Sequence, residues 1–226
     1  MIVVTGASKG LGRAISERLT LSGATVLGLA RNIADLPFRA RACDVSSYEQ
    51  IKDVAQSLKR EGETVRCLIN AAGVASMNLA VMTPPHVSQR IVETNLLGTI
   101  YSCQLFAPLM MRKRYGLIIN FSTIAVAMGG FRGESIYAAS KAGVEGFTRA
   151  FAREMADFNI NVNCIAPGPI DTALLKGVTS QQIANVVSQQ TLGRQFTPDA
   201  VCDLVEILLD PKSNSLSGQI LHVGGS

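Results

Sequence analysis

Short apolar runs alternate along this chain with longer segments in which apolar residues recur every three or four positions. The short runs are typical of buried strands and the longer segments of amphipathic helices. The runs predict strands at residues 2–5, 25–29, 40–43, 66–70, 117–121, 161–165 and 219–223. The periodic segments predict helices at residues 11–21, 48–61, 85–113, 137–157, 180–190 and 198–208. Strands that alternate with helices predict an α/β fold, a doubly wound parallel sheet with helices on both faces.

The connection between the second and third strands departs from this alternation. It consists of residues 30–39 and contains Pro37, which leaves too little chain for a crossover helix. We therefore expect a turn there. The chain has 226 residues, 47% of them hydrophobic, and contains no Pro/Ser-rich linker. One domain over residues 1–226 is the simplest interpretation.

The first strand runs directly into a glycine-rich turn and then into the first helix. A strand, a glycine turn and a helix form the arrangement that binds a dinucleotide, because the N–H groups at the helix N-terminus face its phosphates. We assign to such a cofactor the turn residues Gly6, Ser8, Lys9, Gly10, Leu11 and Gly12. The alternative is an ordinary strand-to-helix turn.

Tyr137 and Lys141 are candidates for acid–base chemistry. Their spacing of four places both side chains on one face of a helix. An ammonium beside a phenol lowers the pKa of the phenol, which then can donate or accept a proton. The alternative is a packed tyrosine with a solvated lysine nearby. A further candidate is Ser122, which the buried run 117–121 delivers to the carboxyl end of a strand, where α/β sheets bind ligands.

Together these motifs resemble the short-chain dehydrogenase/reductase family over nearly the whole chain. The family patterns are Thr-Gly-x-x-x-Gly-x-Gly at 5–12, Asn-x-Ala-Gly at 70–73 and Tyr-x-x-x-Lys at 137–141. The resemblance implies a single-domain Rossmann fold and hydride transfer between a nicotinamide and a carbonyl. It also implies a catalytic set made of Asn95, Ser122, Tyr137 and Lys141.

The resemblance gives each member of this set a role. Tyr137 would give the proton, Lys141 would hold the nicotinamide ribose and lower the tyrosine pKa, and Asn95 would keep a water in line. Ser122 would bind the carbonyl oxygen. Alternatively, Ser122 caps a strand end and Asn95 satisfies backbone groups inside a helix. The interval from Ser122 to Tyr137 is longer than the family's usual one, so Thr123 is a possible substitute for the hydroxyl.

The resemblance extends the cofactor site beyond the glycine turn. Its remaining members would be Asp44, Val45, Asn70, Ala71, Ala72, Gly73, Pro167, Gly168, Ile170 and Thr172. NAD-dependent enzymes place an acidic residue after the second strand to bind the ribose hydroxyls. Here that strand is followed by Ala30 and Arg31, and Lys9 faces the same region. Two cations and no carboxylate favour NADP(H).

Within the family the chain looks most similar to 3-oxoacyl-[acyl-carrier-protein] reductases, through residues 136–143, 167–172, 192–194 and 218–223. The leading hypothesis is an NADPH-dependent reductase of a 3-oxoacyl thioester, in fatty-acid or polyketide-like synthesis. One alternative is an enzyme acting on another small alcohol or ketone, such as a sugar, sterol or aromatic diol. Another is a nucleotide-binding subunit without chemistry of its own. Basic side chains that could meet an acidic carrier protein are Arg112, Lys113, Arg114, Arg132 and Arg153.

Charge and composition limit the kinds of partner that we expect the protein to bind. The net charge is +4, but the basic residues are scattered, so we expect no nucleic-acid partner. Five cysteines without metal-ligand spacing indicate reduced core thiols, and two histidines give a metal little to bind. Met1 leads directly into the first strand, and no apolar run is long enough for a membrane span, so we expect a cytoplasmic protein. The resemblance implies a homotetramer or homodimer, with a stripe of Ala142, Gly146 and Ala150 at the helix contact.

Overall fold

The computed structural model describes residues 1–170 and 178–225. Its seven strands are β1 (Ile2–Thr5), β2 (Val26–Ala30), β3 (Ala40–Ala42), β4 (Cys67–Asn70), β5 (Gly116–Phe121), β6 (Ile160–Pro167) and β7 (Ile220–Val223). They form one sheet in the order β3-β2-β1-β4-β5-β6-β7, and every pairing is parallel. This confirms the predicted doubly wound α/β fold.

The helices cover both faces of the sheet. They are α1 (Gly10–Leu21), α2 (Tyr48–Arg60), α3 (Pro85–Val92), α4 (Gly98–Met111), α5 (Ala125–Met128), α6 (Ser135–Met155), α7 (Ser180–Val187) and α8 (Pro198–Leu209). Short 3₁₀ turns lie at Ala80–Met82, Ala156–Phe158 and Pro211–Ser213. Across the described ranges no helix combines the length and apolarity needed to cross a bilayer.

Strand β1 shows why the residues at 2–4 are all apolar. Successive side chains of a strand point to opposite faces of the sheet. Val3 packs into the core under α2, α4 and α6, whereas Ile2 and Val4 pack into the core under α1 and α8. Because both faces are covered, no position of β1 is left for a polar side chain at the surface. The five cysteines are also buried and unpaired, as expected.

The connection between β2 and β3 contains no helix, as predicted from its length. The ring of Phe38 lies there instead, against Gly28 of β2. A Cβ added to Gly28 would stand 2.6 Å from a ring carbon of Phe38 and 2.8 Å from the Ala7 methyl group. The ring of Phe38 therefore covers β2 in place of a helix, and only a glycine at position 28 leaves room for it.

The helix predicted over residues 85–113 is interrupted. Helices α3 and α4 are joined by a π-helical turn at Glu93–Leu97. A π turn holds one more residue than an α turn and often occurs at functional sites. Apolar periodicity did not reveal it, because one extra residue hardly changes a pattern of this length. The short helix α5, which ends at Gly129 in the left-handed region (φ 87°), was also not predicted.

The strand order brings the predicted site residues to one edge of the sheet. β1 pairs with β2 on one side and with β4 on the other, so the connections leave β1 and β4 in opposite directions. A crevice opens at the carboxyl ends of strands where the order reverses in this way. The segments that follow β1, β4, β5 and β6 meet there.

Candidate active site

A cavity of about 670 Å³ occupies this crevice. Segments from the carboxyl ends of six strands and from helices α3 and α6 form its wall. The predicted residues that line it are Gly6, Ser8, Lys9, Gly10, Leu11, Arg31, Asp44, Val45, Ala71, Ala72, Gly73, Ser122, Tyr137, Lys141, Pro167, Gly168 and Ile170. The fold thus brings together most of a site whose members are spread over the sequence.

Three predicted residues lie behind the wall of the cavity. Gly12 packs on the carbonyl of Gly6, where a Cβ would collide with that oxygen. Asn70 is buried and donates a hydrogen bond from Nδ2 to Oδ1 of Asn120, at 2.9 Å, which ties β4 to β5. Asn95 is also fully buried. Thr172 lies outside the described residues. Gly12 and Asn70 therefore support the site and do not line it.

The glycine turn leaves space for a phosphate group. Gly6 has a φ of 69°, and a Cβ there would stand 2.7 Å from the Cα of Ala72. Gly10, with a φ of 56°, begins α1, and the first turn of α1 holds no acidic residue. Free N–H groups at a helix N-terminus without a nearby carboxylate suit the diphosphate of a dinucleotide. The chain thus has the shape and polarity that a nicotinamide nucleotide requires.

Basic side chains gather at the end of the cavity near β2. Lys9 and Arg31 are exposed. Burial alone would raise the pKa of Asp44, but hydrogen bonds from Ser46 and the charges of Arg31 and Arg90 lower it. Arg90 on α3 is a member of this group that sequence reasoning missed, because nothing in the local pattern connects α3 with β2. The lowered pKa of Asp44 therefore keeps this carboxyl group ionised near two arginine charges.

Tyr137 and Lys141 lie side by side on α6, and both are buried. The Lys141 ammonium stands 5.9 Å from the ring centroid of Tyr137 and donates a hydrogen bond to the Phe121 carbonyl at 2.8 Å. Burial lowers the pKa of Lys141 to about 8. Burial and the charge of Glu134 raise the pKa of Tyr137, against a hydrogen bond with Thr123 that lowers it.

The pKa of the phenol therefore differs from the sequence-based expectation. We expected the neighbouring ammonium to lower it, but desolvation is the larger influence in the folded chain. At neutral pH Tyr137 keeps its proton. A protonated phenol facing a cavity is a proton donor, as carbonyl reduction requires.

The two candidate hydroxyl groups after β5 point to different partners. Ser122 is buried and donates from Oγ to Oε1 of Glu145 at 2.8 Å. Glu145 in turn contacts Arg149 at 3.3 Å. The side chain of Thr123, in contrast, lies close enough to Tyr137 to lower the pKa of the phenol. Sequence reasoning could not detect Glu145, because its contact with Ser122 forms only when α6 packs on β5.

Asn95 lies in the π turn and fixes the loop after β4. Its Oδ1 accepts from the Val74 N–H at 2.8 Å, and its Nδ2 donates to the Val74 carbonyl at 2.9 Å. Nδ2 also donates to Oγ of Ser140, at 3.0 Å, beside Lys141. Asn95 thus connects the loop to helix α6. Its expected role in holding a water stays a prediction.

Known proteins are similar to this chain in sequence and in fold. The sequence model of a family described as enoyl-(acyl carrier protein) reductase matches residues 6–225. The chain belongs to the short-chain dehydrogenase/reductase family. Membership makes it an oxidoreductase that acts on a CH–OH group or its carbonyl, with a nicotinamide cofactor.

Individual members of the short-chain dehydrogenase/reductase family match the chain over almost its full length. The 3-oxoacyl-[acyl-carrier-protein] reductase FabG of Vibrio cholerae is 35% identical over 99% of this chain and 95% of its own. Carbonyl reductase family member 4 of Danio rerio is 34% identical, covering 100% and 96%. The structure of Thermoplasma acidophilum aldohexose dehydrogenase superimposes with a TM-score of 0.88 at 28% identity, covering 99% and 92%.

The lowered pKa of Lys141 predicts how nucleotide affinity depends on pH. Below a pKa of about 8 the side chain is an ammonium, and above it a neutral amine that binds a ribose hydroxyl less strongly. We expect affinity for NADPH to fall several-fold between pH 7 and pH 9.5, as measured by quenching of nucleotide fluorescence. The Lys141→Gln variant should bind weakly at both pH values. An equal fall in wild type and variant would exclude Lys141 as the titrating group.

Proposed function

We propose that the chain is an NADPH-dependent reductase of a ketone, and that its substrate is a 3-oxoacyl thioester. The observation that carries the proposal is the buried Tyr137 phenol, which holds its proton beside Lys141 in a cavity with a dinucleotide cradle. The similarity to FabG of Vibrio cholerae supports the thioester. A nucleotide-binding subunit without chemistry is disfavoured, because it would have no need for a buried lysine beside a buried tyrosine.

The residues of the chain supply everything in this reaction except the hydride, which the reduced nicotinamide supplies when bound. Tyr137 donates its phenolic proton to the carbonyl oxygen as negative charge develops there. Thr123 hydrogen-bonds the same oxygen, and the Lys141 ammonium stabilises the phenolate that remains. Asn95 keeps the loop after β4 and helix α6 in place. We assign the hydroxyl role to Thr123 because the hydroxyl of Ser122 is already donated to Glu145.

The preference for NADPH rests on the charges near β2. Lys9 and Arg31 are exposed beside the glycine turn, and neither forms an ion pair within 1–170 or 178–225. Ala30 at the end of β2 offers no carboxylate to bind ribose hydroxyls or to repel a phosphate. Two cations can therefore bind the 2′-phosphate that distinguishes NADPH from NADH.

An acyl carrier protein is the partner that this substrate implies. Of the basic residues considered from the sequence, Arg132 lies in the loop between α5 and α6 that borders the cavity. Residues 112–114 lie just before β5, and Arg153 is in the last turn of α6, just before β6. Both places are at the amino ends of the strands, away from the cavity. We propose that Arg132 is the carrier contact among them.

The same proposal includes an assembly and a location. Ala142, Gly146 and Ala150 form an exposed stripe on α6, so they do not pack on the chain's own sheet. Small side chains of this kind permit close approach of a second helix, which supports a homotetramer or homodimer. Reduced, buried cysteines are compatible with the cytoplasm, where we place the enzyme.

An assay of NADPH consumption tests the reaction. We expect faster reduction of 3-oxoacyl thioesters than of sugars, sterols or aromatic ketones of similar size. Absorbance at the wavelength of the reduced nicotinamide follows the turnover. Faster reduction of a sugar carbonyl would favour the alternative of a sugar substrate, in line with the structural similarity to aldohexose dehydrogenase.

Substitutions of the hydroxyl groups test the mechanism. Tyr137→Phe should bind NADPH normally and lose about 10²–10⁴-fold in kcat, since it removes the proton donor and keeps the ring. Thr123→Ala should lower kcat substantially. Ser122→Ala should be milder in kcat and should lower the thermal midpoint, because it leaves Oε1 of the buried Glu145 without its donor and only Oε2 in contact with Arg149. The reverse ranking of Ser122 and Thr123 would restore Ser122 as the catalytic hydroxyl.

Removal of the two cations tests the choice of cofactor. We expect NADPH to bind at least about tenfold more tightly than NADH, an energy of about 1.4 kcal/mol. The double variant Lys9→Ala with Arg31→Ala should bring the two affinities together without weakening NADH binding. Titration of both nucleotides measures this. A ratio unchanged by the double substitution would show that the 2′-phosphate binds elsewhere.

A further inference from the structure

Glu134 is a buried carboxyl group in the wall of the cavity, three residues before Tyr137. It is 6% exposed and lines the same space as Tyr137 and Thr123. One of its oxygens, Oε2, accepts a hydrogen bond from the Phe131 N–H at 2.8 Å. Its charge is close enough to Tyr137 to raise the pKa of the phenol. The carboxyl therefore lies near the place where the substrate carbonyl must be protonated.

The surroundings of Glu134 contain little that would neutralise it. Burial raises its pKa, and the N–H of Phe131 acts in the opposite direction, but no lysine or arginine is among the influences on it. Gly130, with a φ of 60°, leaves room for the carboxylate, since a Cβ there would stand 2.5 Å from Oε2. The charge of this group is thus met by a backbone dipole alone in the described part of the chain.

Charge is distributed unequally along the cavity. The basic side chains Lys9, Arg31 and Arg90 belong to the end near Asp44. The loop that carries Glu134 also contributes the uncharged Phe131 to the wall, and Gly133 packs on the backbone of Met77, which lines the cavity as well. The cation Lys141, which also lines the cavity, donates its hydrogen bond to the Phe121 carbonyl. A carboxylate surrounded by apolar groups repels another anion strongly, because little water or counter-charge screens it.

We infer that Glu134 is a specificity-determining residue that excludes substrates with a carboxylate beside the carbonyl and admits their neutral esters and thioesters. This inference rests on the proposed ketone reduction and concerns its substrate class. A site that places a like charge against the unwanted compound selects by repulsion. The enzyme would thereby reduce a 3-oxoacyl group while it is esterified and leave the hydrolysed acid alone.

Two probes with the same reacting carbonyl separate charge from shape. They are 3-oxobutanoate and its ethyl ester, assayed with saturating NADPH at pH 8. We choose a pH well above the ordinary pKa of a glutamate, because burial raises the pKa of Glu134. Wild type should favour the ester in kcat/KM by at least tenfold. Glu134→Gln should reduce this preference at least tenfold, or about 1.4 kcal/mol, through a gain on the acid. Any change in kcat/KM for the ester, on which loss of the Glu134 charge acts only through Tyr137, should be smaller than the gain on the acid.

The controls address a purely structural role. The amide oxygen of Glu134→Gln can still accept from Phe131, so a residue that only holds the loop would leave the preference unchanged. Such a result would overturn the inference. Glu154→Gln, on the exposed face of α6, is the matched control and should show the same preference for the ester as wild type. If Glu134→Gln does not fold, Glu134→Ala serves in its place. The inference then requires that this variant also shows a smaller preference for the ester over the acid. Failure of wild type to reduce either probe would instead reject the proposed reaction, and the inference with it.

Discussion

The architecture depends on a contact in which no side chain is tolerated. The turn after β1 approaches the segment after β4 so closely that Gly6 touches the backbone of Ala72, and the first turn of α1 packs through Gly12 on the carbonyl of Gly6. Any Cβ at these glycines would separate the helix from the sheet. Because the elements meet backbone to backbone, the N-terminus of α1 opens directly onto the crevice at which the strand order reverses.

Helix α6 supplies the chemical groups to that crevice, and their burial sets their protonation. Lys141 crosses to the Phe121 carbonyl, so one helix is joined to β5 by a buried cation. Burial of a cation lowers its pKa, whereas burial of a phenol raises it. The two pKa values, which are similar for the free groups, consequently move apart, with that of Lys141 lowered to about 8 and that of Tyr137 raised above its ordinary value. A single physical cause thus keeps the proton on Tyr137 and makes the charge of Lys141 sensitive to pH near 8.

The polar side chains around Tyr137 and Lys141 have two different kinds of role in this site. Ser122 is held by Glu145 on α6, and Asn95 is held by Val74 and Ser140. Both side chains therefore fix the position of a wall segment. Thr123 and Glu134 face the cavity instead and act on Tyr137 in opposite directions. The opposing influences of the Thr123 hydroxyl and the Glu134 carboxylate on the Tyr137 phenol can therefore give this chain a substrate preference different from that of its relatives.

The sequence by itself determined the strand and helix order, the glycine turn, the missing crossover helix and the pairing of Tyr137 with Lys141. Each of these is local, since it depends on apolar periodicity, on chain length or on a spacing of four along one helix. Only the tertiary structure decided which hydroxyl group after β5 contacts Tyr137, that Arg90 joins Arg31, and that α3 and α4 are separated by a π turn. These features depend on how distant segments pack, and desolvation in particular arises only when the groups are buried together, so no pattern within one segment could reveal them.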